Sequence, residues 1–143
     1  MGIKAALSKP FAKYIAGKIK KWSTRPLESQ QKVFAELIQG AKHTAFGKDH
    51  HFAAIKSYED FKKNVPIRDY EGFKIYIDRI IKGEQDVLWK GQPIYFCKTS
   101  GTTSGVKYIP ITKESIPNHI SSARNAILSY FAETGKTEFY QVK

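Results

Sequence analysis

Apolar residues recur at helical spacing through most of this chain. Leu7, Phe11, Tyr14, Ile15, Ile19 and Trp22 form one stripe, with Lys13, Lys18, Lys20 and Lys21 mostly opposite. That pattern predicts an amphipathic helix from about Ser8 to Trp22. Ser8 is its expected cap, and Pro10 falls in the first turn, where proline is tolerated. Pro26 opens a second helix with Leu27, Phe34, Leu37, Ile38 and Ala41 as its stripe and Gly40 near its end. His43 to Phe52 reads as a loop. Ser57 caps a short helix through Asn64, and Pro66 breaks it because the residue before proline disfavours the helical region. Asp69 caps the next helix, with Tyr70, Phe73, Ile77, Ile80 and Ile81 inward and Gly83 at its end. A charged turn leads to Val87-Leu88-Trp89. Ser115 and Pro117 begin a long helix whose buried face is Ile116, Ile120, Ala123, Ile127, Leu128 and Phe131, closed by Gly135. The last residues, Thr137 to Lys143, read as a strand. No repeat, low-complexity tract or long linker divides the chain.

Between Trp89 and Ser115 the pattern changes. Ile94 to Cys97 and Val106 to Ile111 are rich in β-branched and aromatic residues, and they predict a hairpin. Its tip is Thr99-Ser100-Gly101-Thr102-Thr103-Ser104-Gly105, followed by Val106 and Lys107. Glycines let a backbone bend so that several N–H groups face one anion. Hydroxyls add donors and the lysine adds a full charge, so the combination suits a polyphosphate such as ATP. It is not a P-loop, which needs four residues between its glycines and then Gly-Lys-Ser/Thr opening a helix. Three residues separate Gly101 from Gly105, and Pro110 cannot continue a helix. No Gly-x-Gly-x-x-Gly dinucleotide fingerprint is present. A flexible hairpin tip is the alternative reading of the same residues.

These residues also carry a resemblance. Thr99 to Gly105 with Lys107 resembles the phosphate loop of the adenylate-forming superfamily. The continuation Lys107-Tyr108-Ile109-Pro110-Ile111-Thr112 is similar to one branch of it, the auxin-responsive-promoter family of acyl acid amido synthetases and its bacterial relatives. Thr44-Ala45-Phe46-Gly47-Lys48-Asp49-His50, Tyr58-Glu59-Asp60-Phe61, Val65-Pro66-Ile67, Gly83-Glu84 and Leu88-Trp89 fit the same branch. Ser104 before Gly105, the missing proline before Lys107 and Tyr108 after it depart from the wider superfamily pattern.

The resemblance implies an α/β fold, with residues 1–143 as the N-terminal part of one large adenylate-forming domain. This stretch would be mostly helical, the hairpin would carry the phosphate loop, and a C-terminal lid would lie elsewhere. It implies an ATP- and magnesium-dependent ligase that adenylates a small carboxylic acid and passes the acyl group to an amine such as an amino acid. Thr99, Ser100, Gly101, Thr102, Thr103, Ser104, Gly105 and Lys107 would hold the nucleotide, with Lys107 as the catalytic candidate. The 143 residues are expected to be a fragment without adenylation activity alone, with apolar faces left unpaired.

Other chemistry is thin. Asp49, His50 and His51 could be read as ligands or bases, but adjacent loop histidines rarely make a site without further ligands. Asp78 with Arg79, or Glu84 with Asp86, could be catalytic pairs, though solvated charges are the plainer reading. Cys97 has no acidic or histidine neighbour in sequence, and one cysteine permits no internal disulfide. No structural metal is expected. The net charge is +11. Such a balance admits a basic helical module that binds an anion, nucleic acid or a protein partner. The lysines are dispersed and no nucleic-acid motif occurs, so no nucleic-acid partner is expected. The composition fits a cytoplasmic protein. No apolar run approaches the roughly 20 residues of a membrane span, so no stable insertion is expected.

Overall fold

A computed structural model describes the backbone of residues 3–99 and 105–136. Six helices and one hairpin follow in the order α1 (Ile3–Ser23), α2 (Pro26–Ala41), α3 (Ala45–Asp49), α4 (Tyr58–Asn64), α5 (Tyr70–Ile81), β1 (Tyr95–Thr99), β2 (Lys107–Ile111) and α6 (Ile116–Thr134). A single 3-10 turn, Phe52–Ala54, sits between α3 and α4. The described chain is thus mostly helical with a two-stranded antiparallel sheet. The strand expected at Thr137 to Lys143 lies outside the described residues.

Contacts divide the chain into two compact units, residues 1–31 with 116–143, and residues 32–115. The first unit draws on both ends of the chain, so no linker marks it in the sequence. In that unit α1 packs on α6. Ala12, Ile15, Leu128 and Phe131 form the core, flanked by Ile19 and Ala132. Their spacing, three to four residues on each helix, places them on single faces.

The second unit has the larger core, made of Ala41, Phe46, Phe52, Ile55, Tyr76, Ile77, Ile80 and Val87. Phe46 is its hub. Its ring stacks on His50 at 4.1 Å and on Phe73 at 5.6 Å, and meets Tyr76 and Phe52 edge-on at 5.2 and 5.7 Å. Val87 is 1% exposed, and its carbonyl accepts the Phe46 N–H at 2.9 Å. Phe96 of β1 packs against this core, and Ile111 of β2 is buried. The base of the hairpin is therefore fastened to the helices.

Several expectations from the sequence are corrected. Helix α1 begins at Ile3, so Ser8 is an interior residue rather than a cap, and Pro10 lies inside the helix. The buried side of α1 runs through Ser8, Ala12 and Ile15, because the small Ala12 allows close approach to α6. Phe11, Tyr14 and Trp22 are exposed instead. Leu27 and Leu37 of α2, Ile81 of α5 and Ile120 and Ile127 of α6 are exposed as well. The expected loop from His43 to Phe52 contains α3. Thr44 caps it, donating its hydroxyl to the Ala41 carbonyl at 2.7 Å and accepting from the Gly47 N–H at 3.0 Å. The caps at Ser57 and Asp69 hold as expected, and Gly83 takes the left-handed backbone (φ +92°) after α5.

Candidate functional site

Strand β1 pairs with β2 from Tyr95↔Ile111 to Thr99↔Lys107. The ladder thus reaches two residues beyond Cys97 and starts one residue after Val106. Thr99 and Lys107 face each other at its open end, so the loop leaves and re-enters the sheet at one point. Ser100, Gly101, Thr102, Thr103 and Ser104 lie outside the described residues. Gly105 has φ +78°, a region where a side chain would be strained.

Lys107 is half-buried. Its Nζ lies 5.6 Å from the centre of the Tyr70 ring. Tyr70 is the first residue of α5, set by the cap at Asp69, whose Oδ1 accepts the Gly72 N–H at 2.9 Å. The Tyr70 hydroxyl accepts the Tyr108 N–H at 2.8 Å and donates weakly to the Tyr108 carbonyl at 3.5 Å. Tyr108 also meets Phe96 edge-on at 6.3 Å across the sheet. The sequence pattern assigned Tyr70 to the inward stripe of its helix. Nothing in that pattern pairs it with a strand 38 residues away, because the contact exists only once α5 and β2 pack.

The remaining candidates do not form sites. His50 is buried, with Nδ1 2.8 Å from the Phe46 carbonyl, so it serves the core. Asp49 accepts the Tyr76 hydroxyl at 2.9 Å. His51 sits exposed in a left-handed turn, φ +53°. Asp78 pairs with Lys74, and Arg79 pairs with Glu84 through both carboxylate oxygens. The Arg79 guanidinium holds the Glu84 carboxyl below the usual range. Asp86 accepts the Gly91 N–H at 2.6 Å. Asp49, Arg79, Glu84 and Asp86 line an open cavity of about 480 Å³ together with His43 and Lys48, but each of the four is already engaged, Arg79 with Glu84, Asp49 with the Tyr76 hydroxyl and Asp86 with the Gly91 N–H. Cys97 is exposed. Among the described residues no group of three His, Cys, Asp or Glu could hold a metal ion. No described helix is long and apolar enough to cross a membrane.

Residues 15–141 match the family model described as the GH3 family N-terminal domain. An indole-3-acetic acid-amido synthetase of Arabidopsis thaliana, GH3.15, is 48% identical over 65 residues, covering 44% of this chain and 11% of the relative. A second one from the same plant, GH3.4, is 30% identical over 100 residues, covering 68% of this chain and 17% of the relative. A 4-substituted benzoates-glutamate ligase, GH3.12, also from Arabidopsis thaliana, is 42% identical over 62 residues, covering 42% and 11%. The chain therefore spans less than a fifth of the length of these relatives.

Proposed function

The chain belongs to the GH3 family, and on that premise we propose that it carries the ATP phosphate loop of an acyl acid amido synthetase. The observation that carries this reading is the Thr99↔Lys107 pair. It closes a glycine- and hydroxyl-rich loop with a lysine at its base.

The reaction is a charge problem. A carboxylate oxygen attacks the α-phosphorus of ATP, the bond to pyrophosphate breaks, and an acyl-adenylate forms. An amine then attacks the acyl carbon, and AMP leaves. Negative charge grows on pyrophosphate in the first step, where donors aimed in advance stabilise it most. Thr99, Ser100, Thr102, Thr103 and Ser104 supply hydroxyls, Gly101 and Gly105 let the backbone come close, and Lys107 supplies the cation. An ammonium about 4 Å from one phosphate charge contributes roughly 1 kcal/mol in water and about 4 at intermediate dielectric. Exclusion of water therefore decides how much Lys107 contributes. Magnesium is expected to arrive on the ATP phosphates, since it binds mainly through substrate oxygens with one or two carboxylates. The names of the relatives, an amido synthetase of indole-3-acetic acid and a ligase of 4-substituted benzoates with glutamate, support a carboxylic acid and an amino acid as substrate classes.

ATP–pyrophosphate exchange in the complete enzyme tests the reading. Lys107→Ala should lower exchange at least about tenfold. Unchanged exchange would remove the lysine, and with it the loop, from the mechanism.

A further inference from the structure

We infer that Tyr70 is the positioning residue of the phosphate loop, holding Lys107 and the β2 edge in the place from which the lysine meets a polyphosphate. The inference rests on the loop reading above and adds a residue that the loop motif does not contain.

Three contacts converge on this side chain. The ring lies under the Lys107 ammonium at 5.6 Å from its centre. The hydroxyl accepts the Tyr108 N–H at 2.8 Å and lies 3.5 Å from the Tyr108 carbonyl. Among the described residues the outer edge of β2 has no partner strand, and the phenol hydrogen-bonds that edge at the residue after Lys107. Lysine is otherwise a flexible point charge on a four-carbon stem. A ring face attracts the ammonium without neutralising it, as a carboxylate would. The lysine is thereby ordered yet keeps its charge for an incoming anion. Tyr70 can do this because Asp69 starts α5 one residue earlier, which fixes the direction of its first side chain.

The two halves of the phenol separate by substitution. Tyr70→Phe keeps the ring and loses the edge bond. Tyr70→Leu loses both. In the complete enzyme, NMR with selectively labelled lysine and tyrosine reads the ring-current shift of the Lys107 ε-protons and the exchange rate of the Tyr108 amide. Inorganic tripolyphosphate, which needs only the loop, is the ligand probe. The parent should show upfield Lys107 ε-protons, a protected Tyr108 amide, and tripolyphosphate shifts confined to residues flanking the loop. Tyr70→Phe should keep the Lys107 shift, expose the Tyr108 amide and weaken binding two- to threefold, as an order of magnitude. Tyr70→Leu should abolish the Lys107 shift and weaken binding about five- to tenfold. In a Lys107→Met background the Leu substitution should cost little more, because the two residues act as one unit. Full additivity there, or unchanged binding in Tyr70→Leu, would overturn the inference while leaving the loop reading intact. No localised shift in the parent would instead overturn the loop reading and leave Tyr70 nothing to position. An unfolded Tyr70→Leu protein leaves the decision to Tyr70→Phe, where a still-protected Tyr108 amide with parental affinity would refute the role.

Discussion

Single residues in the larger core are constrained by backbone as much as by hydrophobicity. Gly47 lies against the Ala41 carbonyl, and a Cβ there would collide with it. Gly47→Ala should therefore cost on the order of 3 kcal/mol, since fixed backbone cannot yield. Urea unfolding of the two proteins measures it. The glycine was visible in the sequence, but its reason was not, because the carbonyl it meets belongs to the preceding helix. Tyr76 shows a second constraint. Burial first, and then its hydrogen bond to Asp49, raise its pKa above the ordinary phenol value. The folded state thus favours the neutral phenol. The corresponding stability is full below the unfolded pKa and is lost as pH rises through the folded one. Tyr76→Phe should cost about 1 kcal/mol at neutral pH. The gap between the two proteins should narrow only as pH rises past the ordinary phenol value of about 10 in denaturant titrations. A gap that stays constant would show that the phenol proton plays no part.

Elements held where the chain signalled its own ends. The Ser57 hydroxyl accepts the Asp60 N–H at 3.1 Å, while the Asp60 carboxylate accepts the Ser57 and Lys56 N–H groups at 3.0 Å each. That reciprocal box starts α4 and was legible as Ser57 three residues before an acid. Ser57→Ala should lower stability by about 1 kcal/mol, with the loss of α4 helicity seen by amide exchange. The apolar stripe of α2 and the expected buried face of α6 are each covered only in part, with Leu27, Leu37, Ile120 and Ile127 exposed. A stripe reports that a face is apolar and says nothing about how much of it has a neighbour. Helix α1 shows the opposite failure. Ala12 carries almost no weight in a hydrophobic pattern, yet it is fully buried, because a small residue is what close helix packing selects. The contact of α5 with β2 through Tyr70 belongs to this scale too, for it joins elements rather than residues.

For the whole molecule the exposed apolar surface is the dominant feature. Phe11, Tyr14 and Trp22 on α1, Leu27, Val33 and Leu37 on α2, and Ile120, Ile127 and Tyr130 on α6 are each 45% exposed or more. Patches of this kind associate readily. The isolated chain should enhance the fluorescence of a hydrophobic dye strongly and self-associate at micromolar concentration in sedimentation runs. A dye-silent monomer would mean that these faces are covered in solution. What the sequence determined by itself is local: the caps at Ser57 and Asp69, the glycine stop after α5, the breaks at proline, the hairpin, and the hydroxyl-rich tip that carries the family resemblance. Each depends on residues within a few positions of one another, where backbone preference and hydrogen-bonding reach decide the outcome. Only the tertiary structure decided which apolar faces are covered, that Phe46 gathers the core, that Asp49 and His50 are structural, and that Tyr70 sits beneath Lys107. Those facts depend on which distant segments meet, and a linear pattern records the chemistry of a surface but not the identity of its neighbour.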